Sequence, residues 1–244
     1  MTMKIALVTG ANKGLGFETS RQLARQGILV LMGARNAERG EAAVRTLRDE
    51  GLSAESVLLD VTKTDQIRRA VDHVAEKYGR LDILVNNAGM AHPEETLIGS
   101  SVETVSPAVL RATFDVNFFG LVEITQAFLP LIRRSDAGRI VNVASILGSL
   151  TLHSQEGGIS PFMPFAYDSS KTAVNAFTVH LSAALKKTPI KVNSAHPGWV
   201  RTDMGGNEAP MTAEEGAKTA VRLATLGPDG PTGRFFHSEK ELQW

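Results

Sequence analysis

The sequence predicts a doubly wound α/β fold, in which a mostly parallel sheet of seven strands is covered by helices on both faces. Short runs rich in Val, Ile and Leu recur along the chain, and segments with helical periodicity lie between them. Runs that are apolar on both faces are typical of strands buried in a parallel sheet, and alternating strands and helices imply right-handed crossovers. Because no linker, repeat or low-complexity tract divides the 244 residues, we expect one domain over residues 1–244.

Each element is predicted from its own signal. Strands are expected at the apolar runs 4–9, 28–34, 56–60, 81–87 and 139–145, and at the less regular runs 190–195 and 233–237. Helices are expected at 36–50, with Asn36 as N-cap and Gly51 as the stop, at 64–78 before Gly79, at 165–186, and from 211 onward. The stretches 91–106 and 146–164 break this alternation and are expected to be functional loops.

The composition argues against several classes of function. Lys plus Arg and Asp plus Glu number 26 each, so no net charge attracts nucleic acid or anionic lipid. There is no cysteine, and the six histidines form no ligand pair, so no metal is predicted. No signal-peptide core is visible, and no apolar run reaches the roughly 18 residues of a membrane span. We therefore expect a soluble cytoplasmic protein without nucleic-acid or membrane partners.

A glycine-rich turn follows the first predicted strand. In T-G-A-N-K-G-L-G, at 9–16, three glycines precede a helical stretch and enclose Asn12, Lys13 and Leu15; the glycines are Gly10, Gly14 and Gly16. Glycines at this point let the backbone approach a pyrophosphate, whose charge is met by the helix N-terminus. The segment predicts a dinucleotide site; the alternative is a tight strand-to-helix corner without a ligand.

The end of the second predicted strand indicates which dinucleotide is bound. A carboxylate there would bind a free ribose 2′-hydroxyl, whereas a cation would suit a 2′-phosphate. The strand ends in Gly33-Ala34-Arg35 with no acidic residue beside it, and Lys13 in the glycine turn could reach the same phosphate. The two cations favour NADP over NAD; the alternative is that both are solvated surface residues.

A tyrosine and a lysine form the predicted chemical centre. Tyr167 and Lys171, in Y-D-S-S-K, lie one turn apart on one face of the predicted helix 165–186. A phenol is a poor proton donor at neutral pH, but a neighbouring ammonium favours the phenolate and lowers the phenol pKa. Reduction of a carbonyl needs such an acid, because hydride arriving at carbon leaves an alkoxide to be protonated. We therefore predict that Lys171 lowers the pKa of Tyr167 and that Tyr167 is the general acid.

Two further polar residues are candidates for the same site. Ser145 ends the fifth predicted strand, where its hydroxyl could bind the substrate oxygen; the alternative is a serine that favours the turn. Asn117, in V-N-F-F-G, lies in a helical stretch where local propensity disfavours an amide. Either it bonds its own backbone or it serves the site.

Taken in order, these motifs resemble those of the short-chain dehydrogenase/reductase family, and within it the NADPH-dependent carbonyl reductases. They are the glycine turn at 9–16, Asp60, N-N-A-G at 86–89, Asn117, Ser145, Y-x-x-x-K at 167–171 and P-G at 197–198. The N-K-G-L-G and A-R-N-A-E-R-G stretches are the ones most similar to carbonyl reductases. The resemblance covers nearly the whole chain and implies a Rossmann-like, NAD(P)-binding catalytic domain.

The resemblance also implies a role for each matching residue. Tyr167 is similar to the family's acid/base, and Lys171 to the residue that lowers its pKa and holds the nicotinamide ribose. Ser145 is similar to the group that polarises the carbonyl, and Asn117 to the one that holds a water between Lys171 and solvent. Cofactor contacts are implied for Asp60 and Val61 at the adenine, for Asn87, Ala88 and Gly89 along the adenosine ribose, and for Pro197, Gly198, Val200 and Thr202 at the carboxamide and phosphate.

One departure from the family lies between Ser145 and Tyr167, which are twenty-two positions apart where the family usually has about thirteen. The extra residues either form a wall of an apolar substrate pocket or anchor a surface loop; they include Gly157, Gly158, Phe162, Met163 and Phe165. A second loop, 199–211, could close over the substrate. A homo-oligomer, dimer or tetramer, is expected, and a monomer stays open because the insert can change the family's helix contacts.

The predicted function is NADP-dependent reduction of a small ketone or aldehyde, and three alternatives stay open. A 3-oxoacyl thioester reductase would need a basic patch for its carrier, which Arg133, Arg134 and Arg139 could supply. A secondary-alcohol dehydrogenase would use the same site in the oxidative direction. A dinucleotide-sensing binding protein would keep the cofactor site but would not need the four polar residues of the chemical centre.

Overall fold

The computed structural model describes residues 3–95, 102–156 and 164–244, and within them the chain forms one eight-stranded sheet. In chain order the strands are β1 (Ile5–Thr9), β2 (Leu29–Ala34), β3 (Ala54–Leu58), β4 (Ile83–Asn86), β5 (Arg139–Val143), β6 (Lys191–Ala195), β7 (Arg234–His237) and β8 (Lys240–Glu241). Their spatial order is β3-β2-β1-β4-β5-β6-β7-β8, and every neighbouring pair is parallel except β7 and β8. The order reverses between β1 and β4, the kind of switch point at which doubly wound sheets bind ligands.

Helices connect the strands and end where the local sequence dictates. They are α1 (Gly14–Ala24), α2 (Ala37–Asp49), α3 (Thr64–Tyr78), α4 (Pro107–Phe114), α5 (Gly120–Ile132), α6 (Leu150–Ser154), α7 (Phe165–Ala184) and α8 (Ala213–Ala224). Asn36 caps α2 by accepting a hydrogen bond from the Arg39 N–H at 2.9 Å, and Gly79 ends α3 in the left-handed conformation. Thr212 and Glu215 form a capping box on α8.

Two hydrophobic cores cover the two faces of the sheet. On β1, Ala6 and Val8 pack into the first core, whereas Ile5 and Leu7 pack into the second. Side chains of α1, α2 and α8 complete the first core, and side chains of α3 and α5 complete the second, with Phe128 fully buried. Burial on both faces explains why these strands are continuous apolar runs in the sequence.

The predicted fold class is confirmed, but the strand count and several boundaries differ. The short antiparallel strand β8 adds an eighth strand to the expected seven. Strand β3 covers 54–58 rather than 56–60, so Asp60 lies beyond it. The reason is that β3 is an edge strand, in which the polar Glu55 and Ser56 are only partly buried, so the apolar run did not mark its start.

Strand β5 ends earlier than expected. It stops at Val143, so Ser145 lies two residues past its end and caps the 3₁₀ turn Ile146–Gly148, where its hydroxyl accepts a hydrogen bond from the Leu147 N–H at 3.2 Å. Helix α7 likewise ends at residue 184 rather than 186.

A continuous helical run joins α4 to α5 through a π-helical segment, Asp115–Phe119. The run from Pro107 to Ile132 has 26 residues and a mean hydropathy of 1.2 in its most apolar window, enough by length and composition to cross a membrane. The sequence contains no uninterrupted apolar run of that length, and Ile124, Phe128 and Ile132 are buried in the second core. We therefore assign it as a core helix of the α/β fold.

Gly120 brings this helix against the turn after β3, and its substitution tests the packing. A Cβ on Gly120 would lie 2.5 Å from the Val61 carbonyl oxygen, a backbone atom that cannot swing away. Gly120→Ala should lower the free energy of unfolding by about 1–3 kcal/mol, measured by urea denaturation. The control, Gly227→Ala, places a Cβ with nothing within 4 Å and should not lower stability. Equal midpoints for the two variants would contradict the contact.

Candidate active site

The carboxyl ends of the parallel strands bring the predicted site residues to one edge of the sheet. The glycine turn follows β1, Asp60 and Val61 follow β3, and the 87–89 segment follows β4. Ser145 follows β5, and the 197–202 stretch follows β6. Because neighbouring strands are parallel, residues far apart in sequence share this edge.

The glycine turn after β1 has the geometry that a phosphate requires. Gly10 and Gly14 have φ values of 64° and 55°, which favour glycine. A Cβ on Gly16 would lie 2.4 Å from the Gly10 carbonyl oxygen, so no larger residue fits there. Helix α1 then begins without a side-chain cap and without an acidic residue in its first turn, which leaves its N–H groups for an anion. These features fit a dinucleotide pyrophosphate.

Beside the turn lies a small cleft between α1, α8 and the ends of β5 and β6. Its lining is mostly apolar and consists of Leu15, Thr19, Asn87, Val143, Ala195, Pro197, Gly216 and Ala220. Three of these, Leu15, Asn87 and Pro197, are expected cofactor residues. The cleft therefore extends the glycine turn toward the chemical residues after β5.

Hydrogen bonds lock the segment after β4 onto the end of β1. The Thr9 hydroxyl accepts from the Asn87 and Ala88 N–H groups at 3.0 and 2.9 Å. The Asn87 side-chain amide donates in return to the Thr9 and Gly10 carbonyls at 2.9 and 3.2 Å. The amide at 87 thus fixes the backbone of the glycine turn, in addition to any contact with a ligand.

Asn117 lies in the π-helical segment and clamps three elements together. Its Oδ1 accepts from the Met90 N–H at 2.8 Å, and its Nδ2 donates to the Met90 carbonyl at 2.8 Å and to the Ser170 hydroxyl at 2.9 Å. A Cβ on Gly89 would be 3.4 Å from both Asn117 Oδ1 and Lys171 Nζ. The amide therefore does not bond its own local backbone; it joins the β4 segment to α7, next to Lys171.

Tyr167, Lys171 and Ser145 come together at the start of α7. The Ser145 side chain lies close enough to Tyr167 to lower its pKa, and Lys171 Nζ lies 5.5 Å from the centroid of the Tyr167 ring. Lys171 Nζ also donates to the Val143 carbonyl at 2.9 Å, which anchors it to the end of β5. The three predicted residues therefore form one cluster.

Burial sets the protonation states of this cluster. Tyr167 as a whole residue is only partly buried, but the protein atoms around its hydroxyl desolvate that group and raise its pKa to about 12; the nearby Ser145 side chain lowers this pKa, and the Asp168 charge raises it. Burial lowers the pKa of Lys171 to about 8. The direction for Tyr167 is opposite to the sequence expectation, because desolvation outweighs any effect of the lysine.

A histidine that the sequence did not indicate holds the turn after Ser145. Nδ1 of His196 accepts from the Ile146 N–H at 3.2 Å, and burial, with the nearby His237, lowers the His196 pKa to about 4. A neutral imidazole is what this acceptor role requires. On the other side, a Cβ on Gly148 would lie 2.6 Å from the Lys171 backbone carbon, so the turn packs directly on α7. In the sequence, the motif H-P-G at 196–198 does not indicate that His196 holds this turn.

The cations expected to read a 2′-phosphate have different surroundings. Lys13 forms an exposed ion pair with Asp203, which follows Thr202, and this contact lowers the pKa of Asp203. Arg35 is exposed at the start of α2 and forms no ion pair within the described part of the chain. The structure therefore leaves Arg35 as the better placed of the two cations, since a phosphate would have to compete with Asp203 for Lys13.

The two loops beside the site are described to different extents. The insert residues Gly157, Gly158, Phe162 and Met163 lie outside the described residues, and Phe165 is the first residue of α7. In the 199–211 stretch, Trp199 Nε1 donates to the Gly205 carbonyl at 2.8 Å, and Val200 bridges to Met211. Over 3–95, 102–156 and 164–244, no group of three or more His, Cys, Asp and Glu residues could hold a metal ion.

Known proteins resemble this chain over almost its full length. The sequence model of the family described as short chain dehydrogenase matches residues 4–213. Carbonyl reductase (NADPH) 1 of Mus musculus is 36% identical over 98% of this chain and 98% of the relative. Short-chain dehydrogenase anuI of Penicillium roqueforti (strain FM164) is 37% identical over 99% and 97%, respectively. The NADPH-bound carbonyl reductase from chicken fatty liver has a TM-score of 0.83 and 25% identity over 100% of both chains.

The residue after Tyr167 gives a pH prediction for stability. Burial and the Glu95 charge raise the pKa of Asp168 to about 8, despite His153 Nε2 at 3.5 Å from its carboxylate. The folded state therefore holds a proton that the unfolded chain releases, and this contribution to stability is lost as pH rises from about 4 to about 8.

Asp168→Asn should consequently gain stability over the wild type at pH 8 compared with pH 5, by on the order of 1–3 kcal/mol. Urea denaturation of both proteins at the two pH values measures the difference, in which the other titrating groups cancel. Asp136→Asn, at an exposed position, is the control and should give the same difference at both pH values. The same flat result for Asp168→Asn would refute the raised pKa.

Proposed function

The chain belongs to the short-chain dehydrogenase/reductase family, and on that basis we propose that it is an NADP-dependent oxidoreductase that reduces a ketone or aldehyde to an alcohol. The observation that carries the proposal is the cluster of Tyr167, Lys171 and Ser145 beside the glycine turn. The mouse and chicken proteins named above are carbonyl reductases whose names include NADPH, which supports both the reaction and the cofactor.

Each residue of the cluster has one role in the proposed chemical step. A bound nicotinamide cofactor would supply the hydride that the carbonyl carbon accepts. Tyr167 donates its phenolic proton to the carbonyl oxygen, while the Ser145 hydroxyl hydrogen-bonds the same oxygen as negative charge develops there. The Lys171 ammonium stabilises the phenolate that Tyr167 becomes. Asn117 holds the segment after β4 against α7, and its Oδ1 keeps a lone pair for the proposed water beside Lys171.

The residues around the cleft would hold the cofactor. The backbone at Gly10, Gly14 and Gly16 and the start of α1 would bind the pyrophosphate. Arg35, with Lys13, would bind the 2′-phosphate. The remaining proposed contacts are those implied by the family: Asn12 and Leu15 in the turn, Asp60 and Val61 at the adenine, 87–89 along the adenosine ribose, and Pro197, Gly198, Val200 and Thr202 at the carboxamide and phosphate.

The rival functions have less support. A carrier-bound 3-oxoacyl thioester needs a basic patch at the mouth of the site, but Arg139 is only 3% exposed and donates to carbonyls at the opposite edge of the sheet. Arg134 also faces that opposite edge, where it donates to the Gly79 carbonyl. A secondary-alcohol dehydrogenase would run the same step in reverse. A binding protein without chemistry would not need the assembled cluster.

The setting of the enzyme is also part of the proposal. We propose one catalytic domain over residues 1–244, soluble in the cytoplasm, acting on a small-molecule substrate without nucleic-acid or membrane partners. A homo-oligomer is proposed as well, with a monomer as its alternative. Exposed apolar side chains on the π-helical segment before α5 and on α7, Phe119 at 56% and Val179 at 39%, support an oligomer.

Initial rates on a substrate panel test the function directly. The panel contains aromatic ketones, α-diketones, aldehydes and acetoacetyl thioesters, each with NADPH and with NADH. Activity on the free carbonyls with NADPH preferred is the expected result. NADPH binding without turnover of any compound would reject the enzyme in favour of a binding protein, and activity confined to the thioesters would favour the carrier-bound substrate.

Tyr167→Phe removes the proposed proton donor and leaves the ring in place. We expect kcat to fall by about 10² to 10⁴, because the alkoxide loses its acid, while NADPH binding changes little. Stopped-flow or steady-state rates measure the first effect and fluorescence titration with NADPH the second. Tyr78→Phe, at the other tyrosine of the chain, is the control and should keep wild-type turnover. Robust activity of Tyr167→Phe would exclude the mechanism.

Arg35→Asp tests whether Arg35 binds the 2′-phosphate of the cofactor. The new carboxylate should repel the phosphate and bind a free ribose hydroxyl, so that the ratio of kcat/KM for NADPH to that for NADH falls by about 10-fold or more. Arg45→Asp, an exposed arginine further along α2, carries the same change in net charge and should leave the ratio unchanged. If both variants keep the wild-type ratio, Arg35 does not contact the phosphate.

A further inference from the structure

A buried carboxylate caps the helix that carries Tyr167. The N-cap position of α7 is Pro164, which has no side-chain hydrogen bond to offer. Instead, Glu95 reaches it from 71 positions away: Oε1 accepts from the Ala166 N–H at 2.5 Å and Oε2 from the Tyr167 N–H at 3.0 Å. Both oxygens of one carboxylate therefore satisfy N–H groups that the first turn of a helix leaves without partners.

The protein keeps this carboxylate out of water. Glu95 is 7% exposed, and over the described residues it forms no ion pair with a lysine, arginine or histidine. Burying a carboxylate is costly unless hydrogen bonds compensate it, and the compensation here comes from two N–H groups and the positive end of the α7 dipole. A Ser, Thr or Asp at position 164 would cap the helix without that cost. What Glu95 adds is a fixed link between two distant segments.

The link is one of two hydrogen-bonded connections between Tyr167 and the segment after β4. The Tyr167 carbonyl accepts from the Ser170 hydroxyl at 2.6 Å, and that hydroxyl accepts from Asn117 Nδ2. Asn117 in turn bonds both backbone groups of Met90, five residues before Glu95. The N–H and the carbonyl of Tyr167 are therefore each held by side chains, and both connections lead to the segment after β4.

We propose that Glu95 is a positioning residue for proton donation, which fixes the backbone of Tyr167 so that its phenol meets Ser145 and the substrate oxygen. This inference rests on the proposed function. A proton donor has to lie within about 2.6–3.2 Å of the oxygen it serves, and an error of about 1 Å can cost 10²-fold in rate. The glutamate acts through the backbone of Tyr167 and touches neither substrate nor cofactor in this proposal.

Three substitutions at position 95 separate the effect of side-chain length from the effect of its charge. Glu95→Ala removes the cap, and Glu95→Asp keeps the charge but is one methylene too short to reach both N–H groups. Glu95→Gln keeps the length and one oxygen acceptor. The expected order of kcat is wild type, then Gln, then Asp, then Ala, with Ala about 10- to 100-fold below the wild type. If Glu95→Ala does not fold, the comparison of Asp with Gln decides.

The matched control is Ser106→Ala, which removes the side-chain cap of α4, where the Ser106 hydroxyl accepts from the Val109 N–H at 3.2 Å. This variant loses a common type of side-chain helix cap but should keep the wild-type kcat. NADPH titration measures the fraction of folded sites in every variant, so that kcat is expressed per binding site. The NADPH dissociation constant should stay within about twofold of the wild type in all of them.

A solvent isotope effect distinguishes positioning from simple loss of folded enzyme. When the donor is misplaced, protonation limits the rate, so the effect of D₂O on kcat should be larger in Glu95→Ala and Glu95→Asp than in the wild type. A smaller population of intact enzyme would not change this ratio. Glu95→Gln should show a smaller increase than Glu95→Asp, and Ser106→Ala should resemble the wild type.

The outcomes separate the two proposals. A wild type without NADPH-dependent turnover would reject the proposed function itself. An active wild type with unchanged kcat and isotope effect in Glu95→Ala and Glu95→Asp would overturn the positioning role. A rise in KM for the carbonyl compound with kcat unchanged would also overturn it, because that pattern indicates a substrate contact.

Discussion

The parallel register of the central strands is the constraint on which the site depends. Asn86 pairs with Asn142 and Val143 with Ala195, so β4, β5 and β6 end level with one another, and Thr9 at the end of β1 bonds the residues that follow β4. Parallel strands can reach this arrangement only through long crossovers, which here bury apolar side chains on both faces. The chemical residues are thus carried to one edge by elements that are among the best packed in the molecule.

Hydrogen bonds between buried amides and hydroxyls join β4, β5, β6 and α7 next to this edge. Asn86 donates to Asn142 at 2.9 Å, Asn142 donates to Thr178 at 2.8 Å, and the Ser194 hydroxyl donates to Thr178 at 2.9 Å. The chain of bonds runs through β4, β5 and β6 into α7, the helix of Tyr167 and Lys171. Only Asn86 Oδ1 of this network is buried without a partner among the described residues, and a shifted strand would leave more polar groups in that state, so the network favours one arrangement of the elements.

The sequence was sufficient for features that have local or ordered signals. Strand and helix alternation predicted the architecture, and the glycine turn and the Tyr167–Lys171 spacing predicted residues that the structure brings together. It was insufficient where a residue acts through tertiary contacts. Glu95 lies in a segment without periodicity, and its partners on α7 are 71 and 72 positions away. The direction of the Tyr167 pKa could not be predicted either, since it depends on how many atoms from other elements surround the hydroxyl.

Burial of both partners also favours donation over abstraction of a proton. The raised pKa of Tyr167, about 12, keeps the phenol protonated at the pH of a cell, so the proposed donor carries its proton before the reaction. Such a phenol is a weak acid, and it needs a neighbouring cation when it becomes a phenolate. Lys171, whose pKa burial lowers to about 8, is still largely protonated at neutral pH and can supply the cation that this proposal requires. The desolvation that raises the pKa of Tyr167 is therefore consistent with the proposed reduction, in which Tyr167 donates a proton, provided that α7 holds Tyr167 and Lys171 next to each other.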